Sequence, residues 1–390
     1  MSLWQIVRNE LRQIFVGDPR RIAFLFGAAL AYLVIFGALY VPNIIKYMPI
    51  VICDEEQSPL SRELVRGFED SDTFEVTAWV STQEEMQQAL AEKTAYAAVQ
   101  IPKDFSRKIK TGGSASMLFM VNGSNIVLTN IGSSAAQDIA AAFSDKVAAR
   151  NAALRFNANE ELLAKRIAPV HCHLRVLSNT TQGYMLFFLL GLAMAAFQQG
   201  IIFSAGAAVQ YEYRQAASFP GHAMAKIVAV KFGVYWVLSM LSFLMVVFVA
   251  QYFFDIRLKA ALSELMLLAA FYVFAILSFC MLVAALFRNE MQFVRAAILY
   301  PVPAFVFSGY TWPHESMGPV MGTLAQIFPK SWLSNAVREL FTTGASPQLG
   351  QNLVWLLGIG IVCLLAFAFF FPREMKRHGM PDPQEGTENL

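Results

Sequence analysis

The sequence predicts an α-helical polytopic membrane protein of six transmembrane helices, with an α/β domain inserted after the first. Three observations carry that fold class. Hydrophobic residues make up 56% of the 390-residue chain and charged residues only 15%, with a mean hydropathy of +0.47. A soluble protein carries about 25% charged residues and could not cover that much apolar surface. Six apolar runs recur along the chain, each near the roughly 20 residues that a bilayer crossing needs. Between the first two runs lies a stretch with the charge density of a soluble domain. The same composition excludes a disordered chain and a disulfide-dense secreted scaffold. A net charge of +2 gives no basic field for nucleic acid.

The chain opens with Trp4, Val7, Leu11, Ile14 and Phe15 on one helical face, within a cytoplasmic segment 1–21. Asp18-Pro19-Arg20-Arg21 closes that segment, and the first span, 22–45, runs uncharged from Ile22 to Ile45. That run is longer than a signal-peptide core and ends on no small-residue cleavage site, so it reads as a retained helix. Residues 46–181 hold more than half of the chain's charged residues and form the inserted extracytoplasmic domain. Strands are predicted at Tyr47 to Cys53, Phe74 to Val80, Tyr96 to Ile101 and Met117 to Val121. Helices are predicted from Ser58-Pro59 to Phe68, from Ser81 to Lys93, and briefly after Pro102. Ser81 is the expected cap of the second of these, with Glu84 three residues on. An alanine-rich helical arm follows from Ile126 to Ile167, and a last strand from His171 to Leu177.

Five further spans fill 182–372. The second lies within Val176 to Tyr211, the third is Phe232 to Phe254, and the fourth is Leu265 to Phe287. The fifth, Met291 to Gly309, is short and interrupted by Pro301 and Pro303. The sixth runs from Asn352 to Phe371, before a tail at 373–390. With six spans, Arg8, Arg12, Arg20 and Arg21 fall on the same side as Arg214, Lys226, Arg288, Arg373, Lys376 and Arg377. The positive-inside rule makes that side the cytoplasm, with both termini there. Arg257 and Lys259 then lie outside, a minor violation.

Chemistry for catalysis is missing from the sequence. It has no phosphate-binding G-x-x-x-x-G-K-[ST] run, no H-E-x-x-H, no G-x-S-x-G and no C-x-x-C. His171-Cys172-His173 offers two ligands on one strand face, too few for a metal site. Cys53 and Cys172 stand at the two ends of the inserted domain, as a candidate disulfide or as two buried free thiols. The spans are poor in charge, which disfavours an ion-coupled carrier. Lys231 and Arg295 sit near predicted span ends, where snorkelling accounts for them.

Four stretches carry a resemblance. The first is Trp4 to Phe15 with Glu10 and Arg12 on it, followed by Asp18-Pro19-Arg20. The second is Ala95 to Arg107, AYAAVQIPKDFSR, followed by Val121-Asn122-Gly123-Ser124-Asn125. The third is Gln210-Tyr211-Glu212-Tyr213-Arg214-Gln215, then Phe219-Pro220 and Lys226. The fourth is Ser308-Gly309-Tyr310-Thr311-Trp312-Pro313, with Pro329 and Trp332 downstream. Over nearly its whole length the chain resembles the ABC-2-type transporter permeases, in the subgroup with a large extracytoplasmic domain between the first two spans.

The resemblance implies roles. Trp4, Glu10, Arg12 and Arg20 belong to an interfacial helix along the inner leaflet. Tyr211, Glu212, Tyr213, Arg214 and Gln215 open a coupling loop, 210–226, that docks on a cytosolic ATPase. The Gly-Thr pair and following Glu usual in the family are replaced by Gln215-Ala216-Ala217-Ser218. Ser308, Gly309, Trp312, Pro313, Pro329 and Trp332 mark a re-entrant segment, 310–345, capping the exit side. The implied protein is an exporter subunit in the bacterial inner membrane, without a cofactor or covalent chemistry of its own. ATP and Mg would sit on a separate ABC ATPase. The implied partners are that ATPase, a second permease chain, a periplasmic adaptor and membrane lipid, with no nucleic acid. The charge-poor spans suit an amphipathic or hydrophobic cargo. The competing reading is a membrane-anchored receptor or assembly factor acting through its outer domain, which would have no associated ATPase.

Overall fold

The structure, a computed structural model, describes residues 3–40, 46–111, 113–156, 185–214, 221–287 and 289–378. Contacts divide the chain into two compact units, Met1–Asn43 with Val176–Leu390, and Ile44–Arg175.

The smaller unit is built on a four-stranded sheet. Its strands are β1 (Met48–Asp54), β2 (Phe74–Trp79), β3 (Ala97–Ile101) and β4 (Leu118–Val121), in the order β2-β1-β3-β4. β1 runs parallel to β2 and β3, and β4 closes the sheet antiparallel to β3. As the central strand, β1 is apolar on both faces. Met48, Ile50 and Ile52 join one core with Leu64, Phe68 and Phe105, while Val51 and Cys53 point to the other side against Met86 and Ala98. Helices α3 (Pro59–Glu69), α4 (Gln83–Ala91), α5 (Phe105–Lys110) and α6 (Ile126–Phe156) complete the unit.

Two helix starts differ from expectation. The cap of α4 is Thr82, not Ser81: Thr82 Oγ1 accepts from the Glu85 N–H, and Glu85 Oε2 accepts from the Ser81 N–H. Two bonds of capping-box type are made, with the return bond going to the residue before the cap and not to the cap's own N–H. After Pro102 the chain turns first, and α5 begins at Phe105. Cys53 is a buried free thiol, and burial pushes its pKa up. Cys172 and the expected strand 171–177 lie outside the described residues.

In the larger unit, α1 (Leu3–Arg12) runs into a π-type turn, Gln13–Gly17. Then come α2 (Arg20–Tyr40), α7 (Leu190–Arg214), α8 (Gly221–Phe254) and α9 (Leu262–Leu286). The chain continues as α10 (Glu290–Leu299), α11 (Pro301–Val306), α12 (Pro319–Ala325), α13 (Pro329–Thr342) and α14 (Leu349–His378). Among the described residues five helical stretches are long and apolar enough to cross a membrane: Arg20–Tyr40, Met185–Glu212, Lys226–Phe254, Leu262–Leu286 and Leu349–Arg373. The expected fifth span, 291–309, is formed by α10 and α11, which meet at Tyr300 in helical geometry, short and proline-interrupted as the sequence implies. At 1.5 Å per residue they reach about 26 Å, the short end of what crosses a hydrocarbon core of roughly 30 Å. Pro301 has no N–H to bond the Ala297 carbonyl. Gln199 Nε2 of α7 donates to that carbonyl instead, at 3.0 Å.

α7 is the hub, and its polar side chains serve backbone groups that the other helices leave open. Gln210 Nε2 donates to the carbonyls of Ala284 and Phe287 at the end of α9, where no intrahelical donor remains. Ser204 Oγ donates to the Arg21 carbonyl, and Ser242 Oγ of α8 to that of Leu25, around the π-type stretch Ala23–Gly27 of α2. A side chain at Gly200 would put Cβ 2.5 Å from the Phe24 carbonyl oxygen, so only glycine lets α7 come this close to α2.

Candidate coupling junction

The N-terminal helix has one face packed on the rest of its unit and one left open. Ile6, Glu10 and Ile14 point inward, whereas Trp4 is 73% exposed and Phe15 is also exposed. A glutamate takes an inward position because a lysine stands opposite. Lys231 of α8 is only 4% exposed and Glu10 only 6%. Lys231 Nζ pairs with Glu10 Oε2, and on its other side with Glu212 Oε1 at 2.9 Å. The lysine is therefore a buried bridge between three helices rather than a snorkelling side chain.

Tyr211 lies in the same cluster. Its ring centroid is 5.9 Å from Lys231 Nζ and 5.4 Å from Arg21 Cζ, placing cations against an aromatic face. Arg21 is buried and donates from Nε to Asp18 Oδ2 at 3.3 Å and from Nη2 to the Ala207 carbonyl at 3.4 Å. Arg20, largely exposed, donates to Asp18 Oδ1 at 2.8 Å. Burial raises the Asp18 pKa, but the hydrogen bonds and charges of Arg20 and Arg21 outweigh it and hold the carboxyl below its ordinary value.

Two buried carboxylates share the Lys231 ammonium, and the Arg21 guanidinium lies against the same Tyr211 ring. Glu10 Oε1 and Glu212 Oε2 are buried with no hydrogen-bond partner among the described residues. A notch of about 360 Å³ opens beside them, lined by Asn9, Glu10, Arg12, Tyr211, Glu212 and Lys231 among others. The notch thus unites Glu10 and Arg12 of the predicted interfacial helix with Tyr211 and Glu212 of the predicted coupling loop. Trp4 and Arg20 are not in its wall. The helical geometry of α7 continues through Tyr213 and Arg214, and α8 begins at Gly221, so helix occupies both ends of the expected loop 210–226. Gln215 lies outside the described residues. Lys231 was legible only as a lone cation in an apolar run.

The second predicted site folds as a chain of short turns and helices. Ser308 Oγ donates to the Phe305 carbonyl at 2.6 Å, and Gly309 follows at φ 82°, a left-handed backbone that favours glycine. Trp312 Nε1 donates to the Ser316 carbonyl, and Pro313 precedes a short turn at His314–Ser316. Pro329 starts α13, and the Trp332 ring stacks on that of Trp355, 5.0 Å away and 9° from parallel. Lys330, which the sequence reading did not single out, is fully buried and donates to the Gly191 carbonyl at 3.0 Å. The Lys330 ammonium also lies 5.1 Å from the Phe305 ring centroid. Among the described residues no group of three or more His, Cys, Asp or Glu could hold a metal ion, and His171 to His173 lie outside them.

The family model described as "ABC-2 family transporter protein" matches residues 21–369. This chain belongs to the ABC-2 transporter family. It is a multi-pass membrane protein and a transporter membrane subunit of the permease type. The chain is similar to the "probable multidrug ABC transporter permease YbhR" of Escherichia coli K12, at 23% identity over 373 residues, 91% of this chain and 94% of that protein. The "probable multidrug ABC transporter permease YbhS" of the same strain is 22% identical over 138 residues, 35% of each chain. No solved structure matches it.

Proposed function

We propose that this ABC-2 permease is the membrane-spanning subunit of an exporter that moves an amphipathic or hydrophobic molecule (a drug, a lipid or a natural product) out of the cytoplasm or inner leaflet. A separate cytosolic ABC ATPase, holding ATP and Mg, drives it. A second permease chain completes the pathway. The chain sits in the bacterial inner membrane with both termini in the cytoplasm, and the unit Ile44–Arg175 lies outside it.

One observation carries the coupling part of this reading. Glu10 of α1, Glu212 of α7 and Lys231 of α8 form one buried ion-pair cluster beside an open notch. Force on the end of α7 would be transmitted to α1 and α8 together, because separating them breaks a desolvated ion pair. Two packed arrangements of such helices make a rigid-body transition, inward-open to outward-open. The cargo class rests on the polar groups inside the helical unit, which are mostly amides and hydroxyls such as Gln198, Ser204, Gln210 and Ser242, and on the name of the YbhR relative.

The test is purification of the tagged chain from its native host after gentle extraction and cross-linking. An ABC ATPase in the eluate, lost on changing Glu212 and Arg214, supports the reading. An intact, well-extracted chain with no ATPase overturns it.

A further inference from the structure

A cavity of about 650 Å³ is formed by the turn at His314–Ser316, α12, α13 and the start of α14. Its volume suits a drug-sized molecule, for which pockets run about 300–1,000 Å³. Its wall is polar and acidic. Glu315 and Glu339 contribute carboxylates, Gln348, Gln351 and Asn352 contribute amides, and no lysine or arginine lines it among the described residues. Arg338 precedes Glu339 but turns to the rings of Phe187 and Tyr310, with its Nη2 on Asn335 Oδ1 at 2.8 Å.

Three features make this a binding site rather than a solvated dent. Asn352 is only 6% exposed, yet its side-chain amide makes no hydrogen bond among the described residues and borders the cavity. With no partner among the described residues, the amide is left facing the cavity, where a ligand can bond it. Glu339 Oε2 accepts from Ser346 Oγ at 2.6 Å, which fixes the carboxylate while its other oxygen accepts nothing among the described residues. Trp332 is held flat by stacking on Trp355 and by donating from Nε1 to the Gln326 carbonyl at 3.0 Å, so a rigid aromatic edge borders the same space. Carboxylates and amide oxygens beside an indole edge, with no lysine or arginine in the wall among the described residues, select a cation that has N–H donors and an apolar body.

We propose that this cavity binds an organic cation, an amine or amidine whose N–H groups meet Glu339 and Asn352 while its apolar part lies against Trp332. The site is independent of the ATPase reading, because it needs no partner chain to form.

The experiment measures benzamidine binding by calorimetry to the full chain in phosphatidylglycerol nanodiscs, with benzamide as the near-isosteric neutral control. Benzamidine binds saturably, and benzamide binds at least tenfold more weakly. Glu339→Gln and Asn352→Leu each weaken benzamidine at least tenfold. Gly322→Phe fills the cavity from a position where an added Cβ meets nothing within 4 Å, and it abolishes binding in a chain that still folds. Discs containing phosphatidylethanolamine separate two sources of the cation. A fall in benzamidine affinity there assigns a lipid amine, and unchanged affinity assigns a free organic cation. Absence of saturable binding, equal binding of benzamide, or binding that survives both Glu339→Gln and Gly322→Phe overturns the proposal. None of those results bears on whether an ATPase copurifies.

Discussion

Glu10 and Lys231 form a buried ion pair across 221 positions of sequence, joining the N-terminal helix to the helix that begins at Gly221. Glu212 completes it from a third helix. Removing one partner from a buried pair costs about 3–5 kcal/mol, because the other charge is left desolvated and unpaired. Lys231→Met strands two carboxylates and is expected to lower the melting temperature and speed amide exchange in Leu3–Arg12. Glu10→Gln leaves Lys231 paired to Glu212 and costs less. Exchanging the charges, Glu10→Lys with Lys231→Glu, tests the pairing and is expected to recover part of the loss. Equal melting of Lys231→Met and wild type would remove the ion pair from the account.

Close helix packing gives a second expectation. A methyl group at Gly200 meets backbone, the Phe24 carbonyl, which cannot swing aside as a side chain can. Gly200→Ala is expected to cost about 1–3 kcal/mol by overpacking. Gly233→Ala, whose added Cβ meets nothing within 4 Å, should leave stability unchanged. Thermal unfolding of the two variants in one detergent compares them directly.

How far the sequence carried the fold depends on the range of each interaction. Long apolar runs marked the helices at Ile22, Phe232, Leu265 and Asn352 because burial in lipid needs only local composition. The short apolar run Tyr47 to Cys53 marked a strand for the same reason, and the structure buries it on both faces. The cap of α4 falls one residue from Ser81, since Ser81 and Thr82 are chemically equal and packing chooses between them, whereas Ser58 caps α3 at the expected start. The junction was half legible. Tyr211, Glu212, Glu10 and Arg12 were chosen by motif, but their meeting at Lys231 is a long-range contact that no local pattern encodes. Apolar periodicity marks Trp4 and Phe15 as one face of an interfacial helix, and both are exposed, but it cannot show that Glu10 has a buried cation opposite it.

Lys330 gives a third expectation, with the sign opposite to that for Lys231. It is fully buried and its ammonium bonds one carbonyl, Gly191, with no carboxylate beside it among the described residues. An apolar side chain of similar length removes the desolvation of a charged group and keeps the packing. Lys330→Met is therefore expected to match or exceed wild-type stability, and Lys330→Ala to lose about 2–4 kcal/mol from the cavity it leaves. Destabilisation by Lys330→Met as large as by Lys330→Ala would show that the ammonium itself holds the site together.

The last expectation concerns the I-P-x-x-F-S stretch of the smaller unit. Phe105 packs into the sheet core and stacks on Phe143 at 5.9 Å, while the next residue makes a polar clasp. Ser106 N–H and Oγ both donate to Glu56, and Ser58 Oγ donates to the same carboxylate. Burial raises the Glu56 pKa, but these hydrogen bonds outweigh it and hold the group below its ordinary value. A carboxylate whose folded pKa is depressed adds stability that is fully present above its unfolded pKa and is lost as pH falls through the folded one. The clasp around α5 should therefore hold at neutral pH and loosen only in acid, below the ordinary glutamate range. Ser106→Ala is expected to cost about 1 kcal/mol, because the site is partly open to water. Glu56→Gln should flatten the acid dependence of amide exchange in Phe105–Lys110, measured on the full chain, while leaving exchange in Leu262–Leu286 unchanged. An unaltered acid profile in Glu56→Gln would assign the loosening to another group.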